Sequence, residues 1–263
     1  MTISTEQFEF IRRLMEEQVG LLLDPTQKLF VAGRLLTVAK RHGWNHLDPF
    51  FNYLRRDNDR DFVQELTESL LTHETSFFRD SHYFEKLTEQ VLPQLIARRS
   101  NERRLSIWCA ACSTGQEAYS LAMILRERFR EQLRGWQVEL LATDVSSHAI
   151  ELARAGMYSE VEVRRGLSDF RLSQHFRQQK SGWLINEELR QMIRFQQMNL
   201  IGSWSQISAT DLVLLRNVLI YMSPLSRQLI LSRMERIVPT DGALMLGSTE
   251  LGQDYQGNTC RPD

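Results

Sequence analysis

Residues 107 to 122 read IWCAACSTGQEAYSLA, and three kinds of chemistry compete for this stretch. Cys109 and Cys112 could form a thiol–disulfide pair, because a helix N-terminus stabilises a thiolate. The helix is predicted to begin near Gln116, however, several residues beyond Cys112. Zinc would need about four ligands, and there is no second cysteine pair. Both cysteines therefore read as small packing residues. Ser113-Thr114-Gly115 is a turn in which glycine permits positive φ or the close approach of a ligand. Glu117 follows it. A diphosphate site favours a bare helix N-terminus; an acid there repels phosphate and attracts a cation or sugar hydroxyls. The turn also lacks the glycine patterns of dinucleotide and P-loop sites. A nucleotide-like ligand without phosphates is favoured, and S-adenosylmethionine, with its ammonium and sulfonium, is one. A helix-capping glutamate without a ligand is the competing reading.

Asp144 ends the apolar run VELLATD. An acid at the end of a second strand accepts hydrogen bonds from ribose hydroxyls in dinucleotide folds, and adenosine would be served the same way. Capping of the next helix is the alternative use, although Ser146 or Ser147 could do that. Arg216 and Asn217 close the apolar run in LLRNVLIYM, where polar groups are costly unless satisfied. Thr75 and Arg79 in HETSFFRD lie where two halves of the chain meet, as lid residues would.

The elements that must position these residues alternate. Residues 1 to about 73 carry helical periodicity throughout, with Phe8, Ile11, Leu14, Met15 and Val19 on one stripe. A compact helical bundle is expected there. From about residue 80, helices alternate with apolar strands (RLSIWCA, WQVELLATDVS, IRFQQMNL, DLVLLRNVLI, GALMLGST), which predicts a parallel sheet covered on both faces. Such sheets bind ligands at the carboxyl ends of their strands. SHYFEKLTEQVLPQLIARR and SHAIELARAGMY each read as one helix, and polar residues 160 to 190 read as an insertion. The chain has 263 residues, 25% charged, with a net charge of -1. Nothing global points to nucleic acid. No apolar run of about 18 residues predicts a membrane span, no signal peptide is expected, and three cysteines make no disulfide framework. The expected compartment is a reducing cytoplasm, and the expected state a monomer.

In order and spacing, TSFFRD, WCAACSTGQEAYSLAM, ATDVSSHAIELARAGMY, MNL and LLRNVLIYM resemble the chemotaxis receptor methyltransferases, the CheR-type protein-glutamate O-methyltransferases. The resemblance implies an α/β fold: a doubly wound, Rossmann-like methyltransferase domain (76–263), a small helical N-terminal domain (1–75) for substrate docking, and a small β insertion at about 160–195. It implies S-adenosylmethionine as cofactor, S-adenosylhomocysteine as product and no metal. The implied reaction is methyl transfer to glutamate side chains in the cytoplasmic helical region of chemoreceptor-like proteins. By motif, Thr75 and Arg79 would contact the methionine end of the cofactor, Glu117 its ammonium and Asp144 its ribose. Asn199-Leu200 and Asn217-Val218 would flank adenine and sulfonium, and Tyr221 would lie beside the transferred methyl. His73 stands where the family commonly has Asn. Arg79 and Tyr221 are the candidate catalytic residues, orienting a carboxylate nucleophile.

The short turn at Ser181-Gly182 argues against gripping a receptor's C-terminal tether, which longer hairpins do in some members. LGQDYQGNTCRPD, where the family usually adds a last strand, has little strand character, so a lost strand or a truncated chain is expected. The helix TQKLFVAGRLLTVAKRHG carries Arg34, Lys40 and Arg41, with Arg34 and Arg41 seven apart and so on one face. It is a candidate dock for an acidic helical surface, or simply a solvated face. Competing functions are a methyltransferase for small carboxylates, a non-catalytic S-adenosylmethionine-binding adaptor and, more distantly, a thiol oxidoreductase.

Overall fold

The computed structural model describes residues 3–56, 59–247 and 250. The segment LGQDYQGNTCRPD, including Cys260, lies outside the described residues, as does the last-strand question. The chain forms two compact units, one of residues 1–72 with 221–229, the other of residues 73–220 with 230–263. The division thus falls three residues before the expected boundary, and a late segment is counted with the first unit.

The first unit holds α1 (Thr5–Val19), α2 (Lys28–Arg41), α3 (Leu47–Arg56) and α4 (Arg60–Leu70). Ser4 and Gln7 form a capping box at the start of α1, a device contributing about 1 kcal/mol. Gly20 ends α1 in the left-handed region at φ 76°, a conformation that costs glycine little. Phe8, Ile11, Met15 and Val19 of α1 are buried, as are Val31, Leu35 and Val38 of α2. Within this unit the returning segment pairs with the end of α1: Leu22 N–H donates to the Tyr221 carbonyl (2.8 Å) and Ser223 N–H to that of Gly20 (2.8 Å).

The second unit begins with α5 (Ser81–Lys86), a π-helical turn at Leu87–Val91 and α6 (Leu92–Arg98), rather than one uninterrupted helix. Then come β1 (Arg104–Ala110), α7 (Gln116–Arg128), β2 (Gln137–Asp144) and α8 (Ser147–Ala155). Gly156 terminates α8 at φ 62°. A Cβ at Gly156 would also lie 2.6 Å from Ile185 Cγ2, and the chain beyond the cap forms β3 (Met157–Tyr158). The insertion continues with α9 (Glu160–Arg164), α10 (Asp169–His175), β4 (Phe176–Gln179), β5 (Gly182–Ile185) and α11 (Glu187–Gln191). Its antiparallel sheet has the order β3-β5-β4. β6 (Ile193–Gln197), β7 (Leu212–Leu215), α12 (Pro224–Ile237) and β8 (Ala243–Leu246) complete the described chain.

The main sheet is parallel, with the order β6-β2-β1-β7-β8. Six of the seven residues of β1 and all four of β7 are buried, as sandwiched strands require. Strand order reverses between β1 and β7. The crevice for a ligand in such sheets lies beyond the carboxyl ends of the strands at that reversal, here at residues 111–117 and 216–219.

Candidate active site

The carboxyl end of β1 is unusually contorted. Ala111 (φ 60°), Ser113 (φ 52°) and Gly115 (φ 94°) all take positive φ. Phe78 (φ 49°), Asp80 (φ 61°) and Asn217 (φ 56°) do the same. Left-handed conformations in non-glycine residues are costly and gather at functional sites. Arg103 is the remaining non-glycine case among the described residues. Gly115 is needed for packing as well as for φ: a Cβ would sit 2.9 Å from Ala153 Cβ and 3.3 Å from the Phe195 ring. The Tyr158 hydroxyl donates to the Thr114 carbonyl (2.8 Å), tying the loop to β3.

Asp144 is buried and does not cap α8; Ser146 does, accepting from Ala149 N–H. Asp144 instead accepts from Ser113 N–H (2.7 Å) and Ser146 N–H (3.0 Å), bridging the ends of β1 and β2. Burial pushes its carboxyl above the usual range, against the pull of these peptide N–H groups and of the nearby His73 charge. The Met198 N–H donates to the Asp144 carbonyl (2.8 Å), which brings the Asn199-Leu200 turn to the same strand ends. Asn199 Oδ1 accepts from Ile201 N–H (3.1 Å), and the Leu200 carbonyl accepts from Trp204 Nε1 (3.0 Å).

Glu117 lies in the first turn of α7 with its side chain 13% exposed. Burial pushes its carboxyl up, and the charge and hydrogen bond of Arg216 pull it down. Arg216 is the residue whose importance the sequence only hinted at. Its guanidinium is 2% exposed and donates to Glu117 Oε2 (2.8 Å), Asp80 Oδ2 (2.6 Å) and the Arg79 carbonyl (2.9 Å). It also stacks 3.7 Å over the Tyr83 ring. One buried cation thus joins β7, α7 and the 73–80 segment. A charged residue ending an apolar strand was the available signal; its partners, far away in sequence, gave none.

Arg79 is half-buried, and its Nη1 donates to the Glu74 carbonyl (2.8 Å). Thr75 is half-buried in the same segment. The backbone here is held from the insertion: a Cβ on Gly166 would lie 1.9 Å from the Phe77 carbonyl oxygen, and Arg165 pairs with Glu74 (2.8 Å). Phe78 N–H donates to Ser120 Oγ (2.9 Å). Val218 N–H donates to Glu250 (2.6 Å), another partner that sequence reading missed. Tyr221, half-exposed at the end of a 3-10 turn, belongs to the first unit. Arg34, Lys40 and Arg41 are exposed on α2. Arg34 lies over the Phe30 ring (5.2 Å), and Arg41 reaches Glu65 (3.4 Å).

Cys109 and Cys112 are free and buried, and burial pushes both thiols well up. Such thiols are poor nucleophiles at neutral pH, which removes the support for redox chemistry. No metal-ligand cluster of three or more His, Cys, Asp and Glu occurs among the described residues.

The site fits a cationic adenosine. Two carboxylates, Glu117 paired with Arg216 and the buried Asp144, lie at the strand ends where a phosphate binder would present bare amides. Ser113 Oγ is buried with no hydrogen-bond partner, a demand that a hydroxyl-bearing ligand would meet.

Two family models match the chain: "CheR methyltransferase, all-alpha domain" over residues 6–71 and "CheR methyltransferase, SAM binding domain" over residues 73–258. Chemotaxis protein methyltransferase 1 of Pseudomonas aeruginosa is 34% identical over 270 residues, covering 100% of this chain and 97% of that protein. Chemotaxis protein methyltransferase Cher2 of Pseudomonas putida is 31% identical, with 100% and 98% covered. Chemotaxis protein methyltransferase 1 of Vibrio cholerae is also 31% identical, with 100% and 96% covered.

Proposed function

The chain belongs to the CheR methyltransferase family, and we propose that it methylates glutamate side chains of chemoreceptor proteins at the expense of S-adenosylmethionine. The observation that carries this reading is a pair of acids at the carboxyl ends of a doubly wound sheet, Glu117 with its side chain 13% exposed and Asp144 buried. In this reading Glu117 holds the ammonium, Asp144 accepts from the ribose, and Ser113 Oγ bonds to the same ligand. Thr75 and His73 line the methionine side, with Asn199-Leu200 and Asn217-Val218 around the adenine and sulfonium.

When bound, the cofactor supplies an electrophilic methyl on a positively charged sulfur. A substrate glutamate is already ionised near pH 7, so no general base is required. With the cofactor held by Glu117 and Asp144, its methyl would pass to the carboxylate oxygen, and the electron pair of the carbon–sulfur bond would remain on sulfur. No proton moves. The protein's task is alignment and partial desolvation of the carboxylate. Arg79, held through the Glu74 carbonyl, orients that carboxylate. Opposite charges are annihilated as the reaction proceeds, so an ion pair that grips the nucleophile too tightly would slow it. Positioning therefore outweighs charge pairing. The exposed cations Arg34, Lys40 and Arg41 dock an acidic helical receptor surface.

The test is transfer of labelled methyl from S-adenosylmethionine to a receptor cytoplasmic fragment, followed by mild alkali. Carboxyl methyl esters release methanol; N-methyl groups do not. Labelling that is stable to alkali, or no labelling of receptor fragments alongside turnover of free acids, would overturn the assignment.

A further inference from the structure

Beyond β7 the chain turns through Asn217 (φ 56°) into the short 3-10 helix Leu219–Tyr221. Peptide N–H groups at such a helix start have no partner within it. Here two of them converge on one atom: Val218 N–H and Leu219 N–H donate to Glu250 Oε1 at 2.6 and 2.8 Å. The second carboxylate oxygen, Oε2, accepts from Gly247 N–H at the end of β8 (2.8 Å). Three charge-assisted bonds to one carboxylate define its position closely. Gly247 is part of the arrangement. A Cβ there would lie 2.7 Å from Glu250 Oε2 and 3.3 Å from the Asn217 nitrogen. The neighbouring strand ends β7 and β8 are thus clamped by a side chain contributed from beyond both. The clamp is felt at Glu117: its carboxyl, raised first by burial, is raised further by the Glu250 charge.

We infer that Glu250 is a positioning residue for methyl transfer, fixing the Asn217–Leu219 turn in the conformation the reaction uses; this rests on the function proposed above. Asn217 and Val218 belong to the turn directly, and Tyr221 follows two residues after its last bonded N–H. A shift of about 1 Å in such a turn is enough to cost on the order of 100-fold in rate.

The full chain and three variants test this, with kcat and KM for methylation of a receptor fragment, the Kd for S-adenosylhomocysteine and the Tm. Glu250→Ala removes the clamp, and kcat should fall about 10- to 100-fold, more than S-adenosylhomocysteine affinity falls. Glu250→Gln keeps an oxygen for Val218 and Leu219 but cannot accept from Gly247, so it should recover most of the lost kcat. Gly247→Ala leaves the carboxylate in the chain but displaces it, and its kcat should fall with the alanine variant's. Equal losses in the Gln and Ala variants that merely follow Tm would overturn the inference in favour of a structural role. So would kcat within twofold of wild type in Glu250→Ala. Should that variant fail to fold, Gly247→Ala and Glu250→Gln both within twofold of wild type would overturn it as well. A wild-type chain unable to methylate the receptor fragment would refute the proposed function instead.

Discussion

Replacing Arg216 with Met isolates the electrostatics at the centre of the site. The guanidinium is 2% exposed and pairs with Glu117, 13% exposed, and Asp80, 33% exposed. Removing one partner of a buried pair costs about 3–5 kcal/mol because the other charge is left uncompensated. For a domain of this size each kcal/mol lowers Tm by about 2–4 °C, so a loss of roughly 6–20 °C is expected. The cost should also depend on pH. The Glu117 carboxyl is already raised by burial, and Arg216 is what pulls it back. Without Arg216 it rises further, so the folded variant holds a proton more tightly than the unfolded chain does. In that window stability falls as pH rises. The variant should therefore lose less at about pH 5 than at about pH 8, where Glu117 must ionise without a partner. Adding Glu117→Gln should recover part of the loss, because the double variant buries no uncompensated carboxylate at that position. Calorimetric melting at both pH values decides. A loss below about 1 kcal/mol, or one that is the same at both pH values, would refute the reasoning.

Three further outcomes are expected. S-adenosylmethionine affinity should weaken as pH falls through the raised values of Glu117 and Asp144, since Glu117 must be ionised to hold the ammonium and Asp144 to accept from both ribose hydroxyls. Binding near that point should release protons, seen as a calorimetric enthalpy that varies with buffer. Gly166→Ala places a Cβ 1.9 Å from the Phe77 carbonyl oxygen at a φ of 108°. It should destabilise by more than about 2 kcal/mol and weaken cofactor binding by shifting Thr75 and Arg79. Arg34→Glu with Arg41→Glu should cut receptor methylation at least about tenfold while leaving S-adenosylhomocysteine affinity unchanged, since exposed charges steer encounter rather than hold small ligands. The Arg41–Glu65 pair lost in that variant is exposed and worth under about 1 kcal/mol.

Much of this architecture was legible because the sheet is buried on both faces. RLSIWCA and DLVLL are apolar runs that only a covered parallel strand explains, and their flanking helices follow. The residues on those strand ends were legible for the same reason, since acids and an arginine are out of place there. Roles were harder. Asp144 fitted a helix cap as well as a ligand acid; the cap of α8 falls to the Ser146 side chain, and Asp144 accepts from a peptide N–H of residue 113. Met157-Tyr158 were hidden in a helical pattern, because a two-residue strand has no periodicity to detect. Arg216 reaches the Arg79 carbonyl 137 residues away and Glu250 reaches Leu219 31 residues away, and no local pattern carries that information.

Calorimetric titration of the wild type and Glu117→Gln with S-adenosylmethionine, S-adenosylhomocysteine and a dinucleotide diphosphate addresses the site most directly. Saturable one-to-one binding of both adenosyl ligands, weakened at least about tenfold in the variant, with no binding of the diphosphate, is the predicted result. Binding of the diphosphate in preference to the adenosyl ligands, or adenosyl affinities unmoved by Glu117→Gln, would contradict a crevice built from acids to hold a cation.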